Sequence, residues 1–176
     1  KLVVIGGNRY MEKGPFINFI DLSLKKNIET IVYTDNFHWS MPTSNKSYFS
    51  EDILKRNVKV FIEDRLHDKI LIELDDKNMM IVCINCHWII PESIIKRFKG
   101  RIFNYHNAKL PKQRGAACHS WRIMQGDRQS CLSIHEISKE IDEGKILMEE
   151  KISFPSEINT LADTYAYISN KELKFF

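Results

Sequence analysis

Apolar positions in this chain fall in short blocks whose spacing changes along the sequence. Leu2 to Ile5 is a continuous apolar run that stops at Gly6-Gly7, the pattern of a strand covered on both faces. In "PFINFIDLSLKKN" (15–27), Phe16, Phe19, Ile20 and Leu24 form one helical stripe, and Pro15 suits a first turn. "IETIVYT" (28–34) reads as a second strand, and the polar, aromatic stretch "DNFHWSMPTSNKSYF" (35–49) reads as a loop. Ser50 is a suitable N-cap for a helix over "EDILKRN". "VKVFI" is a third strand, "DKILIEL" a helix and "MMIVCIN" a fourth strand. "PESIIKRF" is a helix with Pro91 in its first turn, stopped by Gly100 before the strand "RIFNYH".

Strand and helix thus alternate through the first 106 residues. The pattern predicts an α/β fold, a Rossmann-like and mostly parallel sheet with helices on both faces. After "LPKQRG" the pattern changes. "AACHSWRIMQGD" reads as a helix, while "CLSIHEIS" and "KILMEEKISF" alternate with period two about the turn "KEIDEG". That predicts an antiparallel strand pair, followed by a last helix in "SEINTLADTYAYISNKEL" behind Ser156 as a capping residue.

Composition narrows the class without changing the fold. The chain has 176 residues, 43% hydrophobic and 28% charged, which suits one globular domain over 1–176. No apolar run is long enough for a membrane helix and no secretion signal is visible, so a cytoplasmic protein without membrane contact is expected. The net charge of +3 is spread out, and no nucleic-acid partner is expected. The chain begins on Lys1 and ends on Phe175-Phe176 behind a helical stretch, so missing C-terminal sequence is expected. The four cysteines, Cys83, Cys86, Cys118 and Cys131, do not suggest a disulfide framework in a chain of this kind. Cys83-x-x-Cys86-His87 has the local form of a c-type haem or zinc motif. Cys83 lies inside a strand expected to be buried, and further zinc ligands are not evident nearby.

Ligands of such sheets bind outside the carboxyl ends of the strands. At the end of the fifth strand, Asn104 and His106 are two apart and point to the same side. An amide there can donate to a carbonyl oxygen that becomes negative, and an imidazole can take a proton. A carboxylate would orient the imidazole, and Asp142 in the later turn is a candidate. On spacing alone, the Asn and His also suit turn formers, and the Asp a turn residue.

The residues around this pair carry a resemblance. "FNYHNAKLPKQRGAACHSW" resembles the Asn-x-His-x-Ser-x-Leu-Pro-x-x-Arg-Gly signature of the folate-dependent formyltransferases. "LSIHEISKEIDEGKIL" is similar to the family's second motif, Thr-x-His, six residues, then Asp-x-Gly-x-Ile-Leu. Gly126-Asp127 and "INCHWIIPESII" fit between and before them, so the resemblance covers about residues 80–152. Ala108 and Ser133 stand where the family has Ser and Thr.

The resemblance implies formyl transfer from N10-formyltetrahydrofolate to an amine, with no metal. It implies catalytic roles for Asn104, His106 and Asp142. It implies folate contacts from Cys86, His87, Trp88, Ile89, Ile90 and Pro91, whose backbone would read the pterin, and from Lys139, Glu140 and Ile141. His135, the His of the second motif, is expected to be structural or to stand behind the catalytic groups. Among acceptors, the amine of a dTDP- or UDP-linked amino sugar for surface polysaccharide fits best, with Asn8, Arg9 and Tyr10 as substrate contacts. The first loop departs from the phosphate loop of the glycinamide ribonucleotide enzymes, and the basic surface of the methionyl-tRNA enzymes is not evident. A homodimer formed through the missing C-terminal region is a further expectation, and a catalytically inactive folate- or metal-binding domain is the reading from another class.

Overall fold

The computed structural model describes residues 1–7, 14–43 and 46–176, with the side chain of Leu173 left aside. It divides into two compact units, 1–103 and 104–176. The fold is α/β and its sheet has seven strands.

In the first unit, β1 (Leu2–Gly6), β2 (Thr30–Thr34), β3 (Lys59–Ile62) and β4 (Met80–Ile84) stand in the order β3-β2-β1-β4. All three pairings are parallel, with Val3 level with Ile31 on one side and with Ile81 on the other. The continuous apolar runs are explained by this arrangement: every residue of β1 and β2 is buried. Pro15 opens α1 (Pro15–Lys25), as its fixed φ and missing N–H allow. Phe16, Ile17 and Ile20 are buried in the core, and the Phe16 ring meets Phe49 edge-on at 5.5 Å.

The segment read as a loop holds a short helix, α2 (Asn36–Trp39). Its start is fixed by Asp35, whose Oδ1 accepts from the His38 N–H at 2.8 Å, a local cap that hydrophobic spacing does not reveal. Ser50 does not cap α3 (Phe49–Leu54). Tyr48 occupies the N-cap, and Ser50 lies inside the helix. Helix α4 (Asp68–Leu74) matches its expected limits, whereas α5 (Glu92–Arg97) has Pro91 as its N-cap and not in its first turn. Gly100 then turns the chain with φ 74°.

Two glycines close the carboxyl edge of the sheet. A Cβ on Gly6 would lie 2.1 Å from the Ile84 carbonyl oxygen, and one on Gly7 would lie 2.3 Å from the His38 ring. The Gly-Gly that ends the first apolar run therefore lets β1 approach both the β4 exit and α2.

Strand β5 (Ile102–His106) crosses the boundary between the units. In the second unit the order is β5-β6-β7, with β6 (Gln129–Glu136) antiparallel to β7 (Ile146–Ser153) as the alternation predicts. Helix α6 (Cys118–Met124) ends at Gly126, φ 65°. Asp127 then accepts from Lys109 Nζ at 2.7 Å and from the Gln129 N–H at 2.8 Å, which gives the Gly-Asp pair its structural role.

Helix α7 (Leu161–Phe175) is capped by Thr160 and not by Ser156, since the Thr160 hydroxyl accepts from the Asp163 N–H. Buried Arg122 ties α6 to α7 by donating to Thr164 Oγ1 at 2.8 Å, and it lies 3.9 Å from the Phe154 ring centroid. Tyr105 projects from β5 toward α7 and donates to Glu172 Oε1 at 2.5 Å. Among the described residues, no helix is long and apolar enough to cross a membrane.

Two outcomes follow from this packing. Gly7→Ala should destabilise the protein by about 1–3 kcal/mol through overpacking against His38, measured by urea unfolding; a neutral change would mean that the ring yields. Burial also raises the Glu172 carboxyl from its ordinary 4.5 to about 7, despite the hydrogen bond from Tyr105. The folded state holds this proton more tightly than the unfolded chain. Stability should therefore be highest below the unfolded value and fall as pH rises through the folded one, by about 3 kcal/mol at most. Glu172→Gln should flatten that slope in denaturation curves taken across the range. An unchanged slope would assign it to other groups.

Candidate active site

Asn104 and His106 share one face of β5, and Asp142 enters from the turn between β6 and β7. The Asn104 amide Nδ2 donates to Asp142 Oδ1 at 3.3 Å and lies 3.2 Å from His135 Nε2. The His106 Nδ1 stands 3.6 Å from Asp142 Oδ2. The pair read from strand spacing and the carboxylate read from a distant turn thus meet.

Asp142 is held firmly. It adopts a left-handed φ of 53°, a conformation that Asp tolerates better than most residues. Its Oδ2 accepts from the Gly115 N–H at 2.8 Å, which joins the "RG" of the first motif to the "IDEG" of the second. Arg114 pairs with Glu143 beside it. Gly144 has no room for a side chain, because a Cβ there would fall 1.7 Å from the Glu136 carbonyl oxygen. Partial burial by itself would raise the Asp142 carboxyl. The hydrogen bonds from His135 and the Gly115 N–H, and then the fields of His106 and His135, outweigh that effect and hold it below its ordinary value. The carboxylate is therefore charged throughout the neutral range.

The backbone also sets the His106 tautomer. Its Nε2 lies 2.7 Å from the Gln113 carbonyl oxygen. A carbonyl can only accept, so Nε2 carries the hydrogen. In the neutral ring Nδ1 is then the basic nitrogen, and it faces Asp142. His135 is fixed in the same way, since its Nδ1 donates to the Glu136 carbonyl at 2.8 Å. Its Nε2 therefore accepts from Asn104 when neutral, and donates to Asp142 Oδ1, 3.4 Å away, when protonated.

His135, expected to be structural or to stand behind the catalytic groups, is buried and touches two of them. The Thr-x-His element of the second motif was the available signal. The Gln113 carbonyl, a backbone group, had none.

The remaining expected residues divide by unit. Cys86 to Pro91 follow β4, with Cys86 Sγ 3.7 Å from the Trp88 carbonyl oxygen and Trp88 edge-on to Tyr33. His87 is exposed and its ring turns toward Asp35. In the second unit Lys139, Glu140 and Ile141 form the exposed part of the β6–β7 turn, where Ser138 Oγ donates to the Glu140 carbonyl at 3.0 Å. Asn8, Arg9 and Tyr10 lie outside the described residues. Cys83 is 1% exposed and carries no disulfide, which removes the access that covalent haem attachment requires. Ala108 is wholly buried, so an apolar side chain fills the position of the family's Ser.

The Formyl transferase family matches residues 45–176. Methionyl-tRNA formyltransferase of Prochlorococcus marinus (strain MIT 9215) is 27% identical over 165 residues, covering 89% of this chain and 50% of that protein. The chain spans half or less of the length of the curated relatives it matches. Among solved structures, phosphoribosylglycinamide formyltransferase from Bacillus halodurans aligns with a TM-score of 0.76 at 20% identity, over 100% of this chain and 91% of that one. WlaRD, a sugar 3N-formyl transferase solved in the presence of dTDP and 5-N-formyl-THF, aligns with a TM-score of 0.73 at 23% identity, over 98% of this chain and 59% of its own. These two likenesses establish the fold. The family match spans three quarters of the sequence and both motifs that build the Asn104, His106 and Asp142 cluster, and this chain belongs to the formyl transferase family.

Proposed function

We propose that the protein moves a formyl group from N10-formyltetrahydrofolate to the primary amine of a nucleotide-linked amino sugar. The observation that carries the reaction type is the meeting of Asn104, His106 and Asp142 within hydrogen-bonding or ion-pairing distance. A neutral amine attacks a formyl carbon without a covalent protein nucleophile, so the protein must position the reactants and stabilise charge.

The amine nitrogen bonds to the formyl carbon while the carbonyl oxygen becomes an oxyanion. The Asn104 amide turns a hydrogen from its resting partners toward that oxygen. The proton leaving the amine passes to His106 Nδ1, and Asp142 stabilises the resulting imidazolium. The carbon–N10 bond then breaks, and the same proton goes to N10. The products are the formamide and tetrahydrofolate.

For folate recognition, the backbone of Cys86 to Pro91 is the proposed pterin contact, with Lys139, Glu140 and Ile141 as further contacts. For the acceptor, the likeness to WlaRD supports a sugar nucleotide, and Asn8, Arg9 and Tyr10 are its proposed contacts. Methionyl-tRNA is the second reading, favoured by the names of several sequence relatives. The mild charge of +3 favours the small acceptor.

Release of tetrahydrofolate, measured with dTDP-3-amino and dTDP-4-amino sugars, glycinamide ribonucleotide and methionyl-tRNA, tests the acceptor. A dTDP-amino sugar should give the highest kcat/KM, whereas preference for tRNA would select the second reading. Asn104→Ala should lower kcat about 10²–10³-fold and His106→Ala about 10²–10⁴-fold. Full activity in either variant would refute the mechanism.

A further inference from the structure

The motif that first suggested a metal, Cys83-x-x-Cys86-His87, supplies one ligand toward a different group. Among the described residues, Asp35, His38 and His87 place ligand atoms within 4.8 Å of one another. Asp35 and His38 come from the end of β2 and the start of α2, and His87 from the loop after β4. We infer that Asp35, His38 and His87 form a binding site for a first-row divalent cation of the zinc type, with a fourth position open to solvent.

The donor set fits that class. Two imidazoles and one carboxylate with an open position are a recurring set for zinc and its neighbours, whereas magnesium and calcium prefer oxygen donors. The spacing also fits. His38 Nδ1 lies 2.7 Å and His87 Nε2 3.6 Å from Asp35 Oδ2. Donors of a tetrahedral zinc ion stand about 3.3 Å apart, so the two pairs that Asp35 makes need to change by only about half an ångström, and the two imidazole nitrogens stand within 4.8 Å of each other. The His38 and His87 rings lie 5.2 Å apart between centroids. Two rings bound through nitrogen to one such ion stand about 5 Å apart.

The ligands are already aimed. Asp35 Oδ1 is occupied by the His38 N–H, which leaves Oδ2 facing the two imidazoles. The His38 ring is buried and packed on Gly7, where even one added carbon would collide with it. The His87 ring is held edge-on by Phe37 and Trp88 yet stays exposed, which gives an ion a route in.

Helix capping alone accounts for Asp35 and His38. It does not account for a second, nearly parallel imidazole turned toward the same carboxylate oxygen. In the metal-free protein the hydrogen shared by His38 Nδ1 and Asp35 Oδ2 occupies the place of the ion, so ligation through Nδ1 shifts the ring to its other tautomer. Neither Cys83 nor Cys86 belongs to the group. The formyl transfer proposed above uses Asn104, His106 and Asp142 and no metal, and its pterin contact is the backbone of Cys86 to Pro91, whereas the ligand here is the His87 ring.

Chelator-stripped protein carrying no polyhistidine tag is titrated with cobalt(II) and then with zinc(II). One equivalent of cobalt should bind with the visible absorption of a tetrahedral site, and zinc should displace it. His87→Ala should weaken binding about 100-fold, the upper end of what a lost supporting group costs a metal site. Cys86→Ser should bind as the parent does. Circular dichroism on each variant confirms that the fold is kept, and His87→Cys, which restores a ligand, should recover most of the affinity. The inference is overturned if folded parent protein binds no cobalt, if His87→Ala binds as tightly as the parent, or if Cys86→Ser abolishes binding. Because the readout is bound metal and not activity, failure here leaves the formyltransferase reading untouched.

Discussion

The second unit depends on one carboxylate. Asp142 sits in a left-handed turn, accepts from the Gly115 backbone and from Asn104, and faces the imidazoles of His106 and His135. A half-buried carboxylate with these partners stays ionised, and its charge supports any proton that either imidazole takes up. The turn is possible because Gly144 lets the chain pass against Glu136. The two motifs, separated by almost thirty residues, are therefore one object. The first supplies the amide, the imidazole and the Gly115 N–H, and the second supplies the charge that holds them.

The first unit applies a related device at the edge of its parallel sheet. The strands end together in register, so the exits of β1, β2 and β4 bring Gly7, Asp35 and His87 into one neighbourhood. Glycine in the first of these exits makes room for the imidazole of His38. Asp35 acts as a helix cap with one oxygen and presents the other to two rings. Each unit thus places a carboxylate among imidazoles. In the second, a backbone carbonyl dictates where the His106 hydrogen lies, and in the first, Asp35 itself does so for His38.

Much of this was legible in the sequence because hydrophobic burial is periodic. The apolar runs of β1, β2 and β4 and the alternation of β6 and β7 report directly on how many faces are covered. Asn104 and His106 were readable as a pair because strand geometry puts them on one face. Asp142 was a candidate on chemistry alone, as a carboxylate in a turn between two strands, and the family motif singled it out, since no local pattern joins a turn to a strand 36 residues earlier. The misses have a common cause. Helix α2 and the caps of α3 and α7 depend on single side-chain or backbone contacts. The meeting of His87 with Asp35 was hidden for the same reason.

The central claim is that His106 is held with its hydrogen on Nε2, leaving Nδ1 as the base beside a charged Asp142. Nitrogen-15 NMR of the labelled imidazoles, recorded at a pH where His106 is neutral, tests it most directly. The account predicts a protonated Nε2 and a bare Nδ1 for His106, with the imidazolium form losing stability in Asp142→Asn. A hydrogen resident on Nδ1, or an imidazolium indifferent to that substitution, would contradict it.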